Sequence, residues 1–140
     1  MDLYAVMTEI DTRLKTVPTL TTDIGYPGKL ARVPAAVTYP PDEINFDLTY
    51  GRGTDQYPDL LIVVFVARNT VRQALKDITP FLAGSGAKSI KAKIDMSASA
   101  PYTSCADVQV WKAELDDTAT LGGGTYLAAH FHCKITGLGA

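Results

Sequence analysis

The chain has 140 residues, 46% of them apolar and 20% charged, with a formal net charge of −2. One domain of this size buries a core without disulfide or metal support, and the composition excludes a disordered polymer. The slightly acidic balance excludes a domain held on nucleic acid by general positive charge, leaving only a local basic patch open.

Leu3, Val6, Ile10, Leu14 and Val17 recur at helical spacing with Glu9, Arg13 and Lys15 between them. They predict an amphipathic helix over residues 2–16, closed by Pro18. Asp2, Glu9 and Asp11 make this segment unlike a signal or transit peptide. Residues 18–41 hold five prolines, with Gly25 and Gly28 among them. The expectation there is a long loop or arm with short extended pieces, the best being Ala35-Ala36-Val37-Thr38-Tyr39.

From Ile44 the pattern alternates. Ile44, Phe46 and Leu48 point one way and Asn45, Asp47 and Thr49 the other, which predicts a half-buried strand over residues 44–50. A polar turn over residues 51–56 follows. Residues 60–67 are apolar without alternation and predict a strand covered on both faces, entered at Pro58. A helix on one face, or a neighbouring subunit on the second, satisfies that requirement equally. At eight residues the run is far short of the roughly 20 that span a bilayer as a helix. The expectation is a soluble, cytoplasmic product with no membrane contact.

A helix follows, capped by Asn69 or Thr70, with Val71, Ala74, Leu75, Ile78 and Leu82 inward and Pro80 distorting its last turn. Gly84-Ser85-Gly86 breaks the chain. Ser85 is the expected cap of a short helix with Ala87, Ile90 and Ile94 inward and Lys88, Lys91 and Lys93 mostly outward. Residues 106–115 read as a strand. Residues 118–121 and 126–136 read as a hairpin across Gly122-Gly123-Gly124, with Tyr126, His130, His132 and Lys134 on one face of its second strand. The elements make an α+β domain.

Catalytic patterns are weak. His130 and His132 share a strand face and begin a zinc site only if further ligands join them; otherwise they are an exposed or interface pair. Neither glycine cluster has the strand-loop-helix context of a phosphate cradle, and no serine or cysteine sits in a nucleophile motif. Asp42-Glu43 and Asp116-Asp117 read as solvated carboxylates at loop edges. Cys105 and Cys133 form no C-x-x-C pair and read as buried thiols of an intracellular protein. The reading is of a non-enzyme without cofactor or metal.

The run Tyr39-Pro40-Pro41, Ile44-Asn45-Phe46-Asp47-Leu48-Thr49-Tyr50-Gly51-Arg52-Gly53-Thr54-Asp55 and Val66-Ala67-Arg68 carries a resemblance. So do Gly84-Ser85-Gly86-Ala87, Ser89-Ile90-Lys91 and Gly122-Gly123 leading into Tyr126-Leu127-Ala128-Ala129. Over residues 30–137 their order and spacing resemble the tail terminator (tail completion, neck) proteins of long-tailed actinobacterial bacteriophages. The resemblance implies one small α+β domain over residues 1–140, a mixed or antiparallel sheet with two to three helices packed on it. The core would lie at residues 42–137. It implies a homohexameric ring in the virion, assembled in the host cytoplasm on the head-proximal end of the tail tube. The ring would stop polymerisation of the major tail tube protein, offer a surface to the head–tail connector, and let DNA through unread.

Contacts between subunits are expected at the 51–58 turn, with Arg52, Asp55 and Tyr57, and on the exposed side of the 69–82 helix, with Arg68 and Arg72. Two other readings stay open: a head-closure or adaptor protein of the same neck, and a small ligand-binding module.

Overall fold

The computed structural model describes residues 1–47 and 53–138. It is a single α+β domain with helices α1 (Leu3–Leu14), α2 (Val71–Leu82) and α3 (Ile90–Ile94). Five strands, β1 (Thr21–Ile24), β2 (Ala35–Tyr39), β3 (Thr54–Ala67), β4 (Asp107–Leu121) and β5 (Gly124–Leu138), form one mixed sheet in the order β1-β2-β3-β5-β4. Among the described residues, only the β1–β2 pair is parallel.

Strand alternation divides the sheet into two unlike faces. Leu60, Ile62, Val64 and Val66 of β3 and Ala129, Phe131, Cys133 and Ile135 of β5 meet Val6, Ile10, Leu14, Ile78, Phe81, Ile90 and Ile94 in one buried cluster. All three helices therefore cover this side. Among the described residues, the opposite side buries a smaller set, Val37, Val63, Phe65 and Ala128 with Ala35 beside Phe65, and Leu30 and Val33 of the 25–34 loop pack against the cluster. That loop also meets the β4–β5 hairpin tip. A Cβ on Gly122 would fall 2.8 Å from the Gly28 carbonyl oxygen, and Gly122 and Gly123 have φ of 60° and 81°. Two successive positive values make the tight hairpin turn that glycine favours.

Local chemistry sets the helix ends. Asp2 caps α1 by accepting from the Ala5 N–H at 3.1 Å, and Thr70 caps α2 by accepting from Gln73 at 3.2 Å. Ser89, fully buried, accepts from the Ala92 N–H and donates to the Ala83 carbonyl, joining the start of α3 to the end of α2. Ser85 plays no such part, and Ala87 is exposed.

Several expectations are corrected. Within residues 18–41 the extended piece expected at Ala35–Tyr39 is β2, with Ala36 and Val37 fully buried, but the segment is no free arm, since it also supplies β1 to the sheet. The half-buried strand expected from Ile44 is, over the described residues 44–47, a single bridge between Asn45 and Gln56, with Phe46 69% exposed. Asp47 has φ of 55°, outside the extended range a continuing strand needs. Residues 48–50 lie outside the described residues. β3 begins at Thr54 rather than residue 60, with Pro58 inside it at the register irregularity between Tyr57 and Leu60. Proline is tolerated at such bulges. The pieces expected at 106–115 and 118–121 are one strand, β4, with irregularities at Val110/Lys112 and Asp116/Ala119. On α2, Phe81 is buried, whereas Val71 and Leu75 are exposed.

Candidate functional site

The face away from the helices has an ordered composition. Register places Tyr39, Leu61, His132 and Lys112 in one row across β2, β3, β5 and β4. Val37, Val63, His130 and Glu114 form the next row, and Ala35, Phe65, Ala128 and Asp116 the third. β2 and β3 thus supply an apolar half and β4 and β5 a mostly titratable one.

His132 Nδ1 lies 2.7 Å from Asp59 Oδ1. Its Nε2 approaches Glu114 Oε1, also at 2.7 Å, without the alignment of a hydrogen bond. Trp111 tilts against the same ring with centroids 5.7 Å apart. His130 Nε2 is buried without a hydrogen bond, 4.0 Å from Asp116 Oδ2. The Glu114 carboxyl is held below its ordinary value, first by the hydrogen bond and charge of Lys112 and then by His132. Each imidazole is thus paired with carboxylates. Among the described residues, no group of three or more His, Cys, Asp or Glu side chains is placed to hold a metal ion.

The thiols are separate. Cys133 is fully buried and Cys105 partly so; burial raises both thiols, Cys105 to about 11, which disfavours the reactive thiolate.

The expected contact residues divide. Asp55 and Tyr57 are withdrawn from the surface, at 9% and 2% exposure. Tyr57 lies in the helix-side core, and Asp55 Oδ2 stands 3.3 Å from the Met1 amino group. Alternation within β3 turns both side chains inward where a turn had been expected, so neither offers a contact to a neighbour. Arg52 lies outside the described residues. Arg68 and Arg72 are exposed beside and on α2, and Arg68 reaches Asp117 at 4.0 Å.

Two unlike surfaces remain, both missed by sequence reading. One is a cleft of about 360 Å³ floored by Val33, Pro34, Val66 and Phe81, with Lys76 of α2 and Lys88 of the α2–α3 connection at its wall. Arg72 stands one helical turn before Lys76 and extends this basic rim. The other is the 40–47 segment, where Ile44 and Phe46 are exposed beside Asp42, Glu43 and Asp47.

No protein-family model and no curated protein matches this chain. Among the described residues, no helix is long and apolar enough to cross a membrane.

Proposed function

We propose that this chain is a structural protein of a bacteriophage virion: a tail terminator that forms a ring on the head-proximal end of the tail tube. The ring would end polymerisation of the tube protein and present its other side to the head connector. One observation carries the reading. The described segments that bear the family resemblance divide between the core, where Val66, Ser89, Ile90, Leu127, Ala128 and Ala129 are buried, and the margins of the domain, where a contact with a neighbour can form. Tyr39-Pro40-Pro41 leads out of β2, Gly84-Ser85-Gly86 joins α2 to α3, and Gly122-Gly123 turns the hairpin. Margins are where a ring subunit meets its neighbours, and a ring of identical chains repeats one pair of unlike patches until it closes. Arg68 and Arg72 belong to the α2 side of that contact. The net charge of −2 supports a lumen through which DNA slides without adhering.

The test is negative-stain electron microscopy of lysates from a phage lacking this gene. Overlong tail tubes without heads are the expected result. Tails of normal length overturn the terminator reading: unjoined to heads they indicate a head-closure or adaptor role, and joined to heads they leave a binding module.

A further inference from the structure

The two unassigned surfaces match each other in chemistry. The 40–47 segment carries Asp42, Glu43 and Asp47, contains no cation, and exposes Phe46 at 69% and Ile44 at 38%. The cleft beside α2 has an apolar floor and a rim bearing Arg72, Lys76 and Lys88. Among the described residues, none of these three cations is within 4.0 Å of a carboxylate oxygen. The cleft's own Asp77 accepts from the Gln73 side-chain amide at 2.9 Å. Three carboxylates and two large apolar side chains thus match a cleft that combines apolar lining residues with three cations against one carboxylate, Asp77.

One chain does not satisfy itself. The segment is fixed to the start of β3 by paired backbone hydrogen bonds between Asn45 and Gln56, both 2.8 Å, whereas Val66 and Ala67 line the cleft at the far end of that strand. Ten residues of extended chain separate these ends by about 30 Å. Complementary patches at opposite ends of one subunit form a heterologous contact, which gives a ring or a filament rather than a two-fold dimer.

We infer that the 40–47 segment of one copy docks in the Lys76/Lys88 cleft of the next, with Phe46 and Ile44 over the apolar floor and Asp42, Glu43 and Asp47 against the basic rim. The contact rests on the ring reading and names the joint from which the ring is built. Burial of Phe46 supplies affinity, and the charges set orientation and exclude the reversed pairing.

The experiment measures assembly mass by light scattering for the 140-residue chain, the Phe46→Asp variant and the Lys76→Glu/Lys88→Glu variant, with thermal melts as a folding control. All the substituted side chains lie outside the helix-side core cluster. The unsubstituted chain should assemble. Each variant should melt as the parent does yet associate about a hundredfold more weakly. Mixing the two variants provides the sharper arm. Phe46→Asp retains an intact cleft and the lysine variant an intact segment, so the mixture should give a two-chain species that extends no further.

Variants that assemble like the parent overturn the contact while leaving the ring standing. Folded monomeric variants that fail to pair on mixing overturn it too. A parent chain that stays at 15.0 kDa at every concentration also overturns the contact. Tail length in the deletion lysate tests the terminator reading separately.

Discussion

The two faces of the sheet are built from the same strands and differ in nearly everything else. On the helix side each strand from β2 to β4 contributes apolar residues, and α1, α2 and α3 close over them. On the other side the apolar cluster is smaller, reaching β5 and β4 only at Ala128, Tyr126, Ala119 and Leu121 near the hairpin end, and the rest of β4 and β5 presents His130, His132, Lys112, Glu114 and Asp116. Alternation makes each strand two-faced, but helices placed on one side decide which face carries stability. The bare side is left to other uses.

Adjacent residues of β3 test that division most strongly. Ile62 is fully buried under the helices, while Leu61 points to the other face and is only partly buried. Ile62→Ala should cost about 3–4 kcal/mol, the range for emptying a closed core position. Leu61→Ala should cost about 1 kcal/mol, because part of that side chain already meets water. Urea unfolding of both variants measures the gap. Equal losses would mean that the two faces contribute alike and would undo the comparison.

Ser89→Ala sharpens the picture within the helical layer. The hydroxyl is fully buried and does two things, capping α3 and donating to Ala83. Its loss removes the cap and leaves a carbonyl short of a partner, together about 1–2 kcal/mol. A Ser89→Ala protein as stable as the parent would show that the α2–α3 joint is held by Ile90 and Ile94 alone.

Glu9 gives a pH-dependent effect on the same side. Burial raises its pKa, but bonds from the Ser104 hydroxyl and the Thr103 and Ser104 amides outweigh burial and hold it below the ordinary 4.5. A carboxyl with a depressed folded-state value stabilises fully above 4.5, and the contribution is lost as pH falls through the folded value. Melts between pH 6 and about pH 3 should show the parent losing this contribution and Glu9→Gln losing less. The side chain is only partly buried, so the difference is about 1 kcal/mol at most after screening.

Much of the helix side was legible because periodicity and β-propensity agreed there: α1, the 60–67 run and β5 all have the phase the sequence indicates. The failures have physical causes. β1 is Thr-Thr-Asp-Ile, with too little apolar content to mark a strand; it exists because β2 pairs with it. On α2 the stripe is rotated so that Phe81 turns inward and Leu75 outward, and Pro80 hid that extra turn. Ile44 and Phe46 do alternate with polar neighbours, but alternation does not say which face is covered. In the candidate contact, Arg72 was legible as an exposed helix residue. Lys88 was not, because only the turn after α2 brings it to the cleft that Lys76 lines.

The smallest effect tests the bare face itself. Glu114 is exposed, and Lys112 stands ahead of His132 among the groups that depress its carboxyl. Lys112→Ala should therefore raise the Glu114 titration midpoint more than His132→Gln does, as read from its side-chain carbon resonance. Both variants should melt near the parent at neutral pH, since exposed ion pairs contribute little to folding. A larger rise in His132→Gln would reverse that ranking. The imidazole would then be the main organiser of this face, and the Asp59–His132–Glu114 chain, rather than the cross-face row of strands, would be the unit to follow into assembly.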